Sequence, residues 1–131
     1  MTIKTSSAKQ KGRKLQQWVA ERISRATGFP YGKDQPIESR PMGQSGVDVR
    51  LDDRVLAVFP WSIECKAQEK LSLHQWIEQA RGNVICGTDW LLIFKRSRQK
   101  PVAVLDAEVL FNLLKNSCKT HVDARREEIS A

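Results

Sequence analysis

Between residues 11 and 27, Leu15, Trp18, Val19, Ile23 and Ala26 recur at steps of three and four, the period of a helix that buries one stripe. Gly28 and Pro30 supply its stop. Residues 29 to 46 are rich in Gly and Pro and predict a loop, with a short strand around residues 37 to 40. The period then drops to two. Val47, Val49 and Leu51 alternate with Asp48 and Arg50, and after the Asp52-Asp53 turn signal a strand-like stretch runs from about residue 55 to 67, interrupted by Pro60. Within it Trp61, Ile63, Cys65 and Ala67 share one face, while Ser62, Glu64 and Lys66 share the other. Ser72, with Gln75 three residues on, has the form of a capping box, and Leu73, Trp76, Ile77, Ala80 and Val84 carry helical spacing toward an end near Gly87. Residues 90 to 94 form an apolar run suited to a buried strand, residues 101 to 105 supply a hairpin partner, and residues 107 to 114 predict a short last helix. The resulting order is α-β-β-β-α-β-β-α. Trp18, Trp61, Trp76 and Trp90 all fall on apolar faces and are assigned to the core.

The 131 residues suffice for one domain with its own core, with a polar, basic, flexible start over residues 1 to 10 and a charged tail over 115 to 131 expected to fray. With 40% hydrophobic and 28% charged residues, disorder over most of the length is excluded. No apolar run approaches the roughly 20 residues that cross a bilayer, and the start lacks the apolar stretch of a secretory signal. An intracellular, cytoplasmic protein without a membrane partner is expected. Cys65, Cys86 and Cys118 are odd in number and widely spaced, and neither His74 nor His121 sits at ligand spacing from them. Reduced thiols, and no zinc site, follow from that spacing.

Charge changes the picture through its distribution. The net +7 is concentrated in residues 1 to 33, where eight basic side chains face the single acid Glu21, while the other 14 basic and 14 acidic residues cancel. A cationic segment on a balanced domain suits a phosphate backbone, since each neutralised phosphate releases counterions, although a solvated basic helix face has the same composition. Lys11, Arg13 and Lys14, with Lys95, Arg96, Arg98 and Lys100, are the candidates for phosphate contact.

Glu64 and Lys66, two apart on a strand, point to the same side of a sheet. Alone, such a pair is most often an ion pair on a wet strand face. Asp48 lies 16 residues earlier, on the outward face of the preceding strand-like segment, so adjacent strands can bring two carboxylates together. Paired acids are the usual protein contribution to a Mg²⁺ site, and a divalent cation relieves their mutual repulsion.

Gly46-Val47-Asp48-Val49, then Ile63-Glu64-Cys65-Lys66, with Glu21 in a preceding helix and Gln79 in a following one, resembles the PD-(D/E)XK nucleases, most nearly the small Holliday-junction resolvases of archaea and their phages. The resemblance spans roughly residues 11 to 106, and Val47 stands where the pattern name carries proline. It implies an α/β fold of the restriction-endonuclease type, a mixed β-sheet flanked by helices. It also implies that Asp48 and Glu64, with the main-chain carbonyl of Cys65 and with Glu21, bind Mg²⁺ or Mn²⁺, and that Lys66 orients or activates the attacking water. Glu21 has an alternative as an i,i+4 partner of Arg25. Gln79 matches a helix residue that touches the site in related nucleases, and Ser39 or Ser45 a loop serine that matters for cutting; each also reads as an ordinary surface or turn residue.

The expectation is a metal-dependent, structure-selective DNA endonuclease, a homodimer acting on branched DNA in recombination, with no small-molecule substrate. The rivals are a nuclease of the same superfamily for flapped, nicked or linear DNA, and a non-catalytic DNA-binding module with the same fold.

Overall fold

In the computed structural model, which describes residues 2–41 and 46–130, the first helix α1 spans Thr2–Thr27. Residues 2–10 continue the helix beyond the apolar period because they contain neither Gly nor Pro, while their polar composition gives periodicity nothing to register. At the other end Gly28 takes φ +82°, and its N–H returns to the Ser24 carbonyl at 2.8 Å, the left-handed stop that glycine adopts without strain.

Five strands follow in sheet order β1 (Ile37–Ser39), β2 (Val49–Leu51), β3 (Trp61–Ala67), β4 (Asp89–Lys95) and β5 (Val102–Val104). β3 and β4 are parallel and the other neighbours antiparallel. A parallel pair needs a crossover, supplied by helix α3 (Leu73–Gly82). This is the expected mixed sheet flanked by helices, consistent with the restriction-endonuclease-like fold.

Each face of the sheet has its own core. Leu15, Val19, Ala20 and Ile23 of α1 pack on Ile37, Val49, Leu51 and Ile63, with Trp61, Cys65 and Ala67 alongside. On the opposite face Trp76 and Ala80 of α3 meet Trp90 and Leu92, with Phe94 and Val104. Ile37, Ile63 and Leu92 are at most 1% exposed. Burial of such a side chain stabilises by roughly 1.5–3 kcal/mol. The split leaves Ser62, Glu64 and Lys66 on the α3 side of β3, as alternation requires.

Several boundaries differ from the periodic reading. Residues 53–58 form a short helix, α2 (Asp53–Val58), instead of beginning a strand. Asp52 caps it, accepting from the amides of Arg54 and Val55 at 3.0 and 3.1 Å, and Val55 turns into the core. Pro60 therefore sits between a helix and β3. Ser72 stands at the N-cap of α3 without a side-chain capping bond, and α3 stops at Gly82 with Asn83 as C-cap, one turn short of Gly87. The last helix, α4 (Ala107–Ser130), runs past residue 114 and buries none of its side chains. Trp18 is 38% exposed and does not belong to the core.

Candidate active site

Val49 pairs with Ile63, and the amide of the preceding residue, Asp48, also donates to the Ile63 carbonyl, at 2.9 Å. Two residues of one strand thus meet one of the other, the arrangement of a β-bulge, which re-aims a side chain. The side chain so aimed is that of Asp48. Its Oδ2 accepts the Cys65 N–H at 2.7 Å, taking a backbone donor that a continued ladder would have used.

Glu64 is only 2% exposed. Its Oε2 accepts from the Asn83 amide at 3.3 Å, and the same Asn83 nitrogen reaches the Gly46 carbonyl at 3.4 Å. Asn83 thereby ties the end of α3 to the acid and to the segment entering Asp48. Gly46 holds φ +93° there, a conformation strained for any side chain.

The electrostatics follow from setting a buried acid, Glu64, beside a half-buried one, Asp48. Burial, reinforced by the negative charge of Asp48, pushes Glu64 up to about 7, against the Asn83 hydrogen bond and the Lys66 ammonium. Burial also raises Asp48, opposed by the Cys65 N–H and by the charges of Lys66 and Arg40. The two carboxyls lie within hydrogen-bonding reach, so each favours its protonated form more than a free acid does, and a proton bound to the pair relieves their repulsion. Burial and the adjacent acids raise the Cys65 thiol well above its ordinary range, which leaves it protonated and unreactive.

Of the residues singled out by sequence, Asp48, Glu64, Cys65 and Lys66 are brought together. Glu21 is not. It pairs with Arg25 at 2.5 Å and lines a cleft with Ser39 between α1 and β1. Among the described residues no three His, Cys, Asp or Glu side chains cluster as a metal site. Gln79 is exposed on α3, and the helix contact to Glu64 comes one turn later, from Asn83. Ser45 lies outside the described residues. Lys11 and Lys14 meet Lys95, Arg96 and Arg98 around a single cleft, whereas Arg13 is exposed on α1 outside its lining. Asn83 and Arg40 escaped the sequence reading. Asn83 had a faint signal as an Asn following Gly at a helix end, while Arg40 had none.

The family model described as "Phage putative PDDEXK endonuclease" matches residues 7–130. The chain belongs to this family. The family name spells the order in which this chain carries Asp48, Glu64 and Lys66, and the match extends over α4, beyond the region where the motifs lie. No curated protein and no solved structure matches the chain. Among the described residues no helix is long and apolar enough to cross a membrane.

Proposed function

We propose that this family member is a divalent-metal-dependent DNA endonuclease selective for branched DNA, with Holliday-junction resolution as its activity. The observation that carries the reading is the pairing of the buried Glu64 with the half-buried Asp48, whose mutual repulsion a bound cation would relieve. The donors are hard oxygens, two carboxylates and the Cys65 carbonyl, which fit Mg²⁺ or Mn²⁺ with several waters retained. Glu21, engaged with Arg25, is given no metal role.

When bound, the ion supplies a lowered pKa for water and neutralises charge on the phosphoryl oxygens. The remaining steps belong to the chain. Asp48, fixed by the Cys65 N–H, and Glu64, fixed by Asn83, supply negative charge at set positions. Lys66, on the same strand face as Glu64, orients the attacking water and offsets the charge that builds on the phosphate. The cationic cleft grips the backbone without reading sequence. Symmetric cutting of a four-way junction needs two active sites, and the exposed Leu110, Phe111, Leu113 and Leu114 of α4 support a second copy as partner.

The test is cleavage with Mg²⁺ or Mn²⁺ of a four-way junction, a flapped duplex and a linear duplex of equal length. The junction is cut preferentially, chelator stops the reaction, and Asp48→Ala, Glu64→Ala and Lys66→Ala each abolish it. Activity persisting in all three variants overturns the assignment, and equal cutting of the linear duplex overturns the junction preference.

A further inference from the structure

Ala67 follows Lys66 on β3 and turns to the opposite side, where it lines a cleft of about 370 Å³ between α1 and the β4–β5 turn. The floor of this cleft is apolar, made by Leu15, Trp18, Ala67 and Pro101. Five cations surround it, Lys11 and Lys14 from α1 and Lys95, Arg96 and Arg98 from the turn, against the single acid Glu69. Glu69 is already engaged: it accepts the Ser97 N–H at 2.7 Å and lies 3.9 Å from the Lys11 ammonium, which donates to Ser97 Oγ at 3.0 Å. These bonds tie the turn to α1 and set the width of the mouth.

Trp18 is the anomaly. It sits on α1 between Leu15 and Val19, which are 3% and 5% exposed, yet is itself 38% exposed, with the Arg22 guanidinium 5.0 Å from its ring centroid. Contact with duplex phosphates calls for cations and gains nothing from an apolar floor. A nucleobase released from pairing calls for both, a surface to cover its face and cations for its phosphate. The volume is at the small end of ligand pockets, enough for one nucleotide and too small for a duplex.

We propose that this cleft receives one unpaired nucleotide of the DNA substrate, its base covering Trp18 and its phosphate held by the cations of the 95–98 turn. The inference deepens the endonuclease reading and rests on it. It accounts for recognition of branch points that carry unpaired nucleotides, such as a flap or a locally opened junction.

The test measures binding in chelator by fluorescence anisotropy, using a duplex with a short single-stranded flap and the same duplex with abasic residues in the flap. Wild-type protein loses about tenfold in affinity when the bases are removed. Trp18→Ala loses a similar factor on the intact flap and no longer distinguishes intact from abasic, whereas Trp18→Phe retains the distinction. Equal binding of intact and abasic flaps by the wild type overturns the proposal, as does an equal loss on both flaps in Trp18→Ala. If circular dichroism shows Trp18→Ala unfolded, the wild-type comparison and Trp18→Phe decide. A failure of the endonuclease reading appears separately, as absence of metal-dependent cleavage, which chelated binding does not involve.

Discussion

The carboxyls of Asp48 and Glu64 lie within hydrogen-bonding reach of each other, Asp48 anchored by the Cys65 N–H at 2.7 Å and Glu64 by Asn83 at 3.3 Å. Both of these anchors are neutral donors, while the charge of Lys66 acts on both acids and that of Arg40 on Asp48. The pair is strained when both members ionise and satisfied when a proton or a metal intervenes.

This relationship fixes the pH dependence of stability. The folded Glu64 holds its proton up to about 7, whereas the unfolded side chain releases it near 4.5. The native state therefore binds the extra proton between these values, and stability of the metal-free protein falls as pH rises from 4.5 to 7. The raised Asp48 acts in the same direction. The Glu64 rise is on the order of 3 kcal/mol. Thermal midpoints in chelator decline across that window, Glu64→Gln flattens the decline, and Mg²⁺ opposes it. A wild-type midpoint that climbs relative to Glu64→Gln contradicts the assignment.

Asp48→Asn separates charge from geometry. The amide oxygen still accepts the Cys65 N–H, but the repulsion on Glu64 disappears. The variant is at least as stable as wild type at pH 7 without metal, by on the order of 1 kcal/mol, and cuts no DNA. Calorimetry beside a cleavage assay checks both halves.

Asn83 holds the Glu64 carboxyl by a side-chain hydrogen bond, and on the proposed reading it is a positioning residue. Asn83→Ala removes two long hydrogen bonds and costs no more than about 1.5 kcal/mol of stability. Its effect on cleavage is a roughly 10–100-fold increase in the Mg²⁺ concentration required, with the maximal rate recovered at saturation. A fall in maximal rate at saturating Mg²⁺ would show that Asn83 does more than hold the ligand.

Arg98 occupies φ +63°, in the left-handed region that disfavours side chains like its own, and its turn closes through the Gln99 N–H and the Arg96 carbonyl at 3.1 Å. Asn tolerates that conformation better. Arg98→Asn raises stability by up to about 1 kcal/mol, while DNA affinity falls and its salt dependence becomes shallower by about one phosphate contact. Urea melts and binding titrations over several salt concentrations measure the exchange.

Phe111 on α4 is 66% exposed. If that face joins two copies, Phe111→Glu yields a monomer by light scattering with little change in secondary structure, and paired cutting of a four-way junction becomes single nicking. A wild-type chain that is already monomeric at working concentration removes this role from α4.

What the chain alone determined was local or periodic. The 3.6 spacing placed α1 and α3, the twofold alternation put Glu64 and Lys66 on one side of β3, and the order of Asp48, Glu64 and Lys66 indicated that these side chains meet. Residues 53–58 misled because Val55 and Leu56 suit a strand as well as a helix, and only the Asp52 cap and the burial of Val55 resolve that choice. Tertiary structure decided the rest: the bulge that turns Asp48 to Glu64, the hold of Asn83 from another element, the engagement of Glu21 with Arg25, and the meeting of α1 with the 95–98 turn around Trp18. Each joins residues far apart in the chain or selects between local partners of similar energy. Spacing offered the Glu21–Arg25 pair as one of two readings, and it carries no information about the long-range contacts, because those exist only once the sheet and its helices have packed.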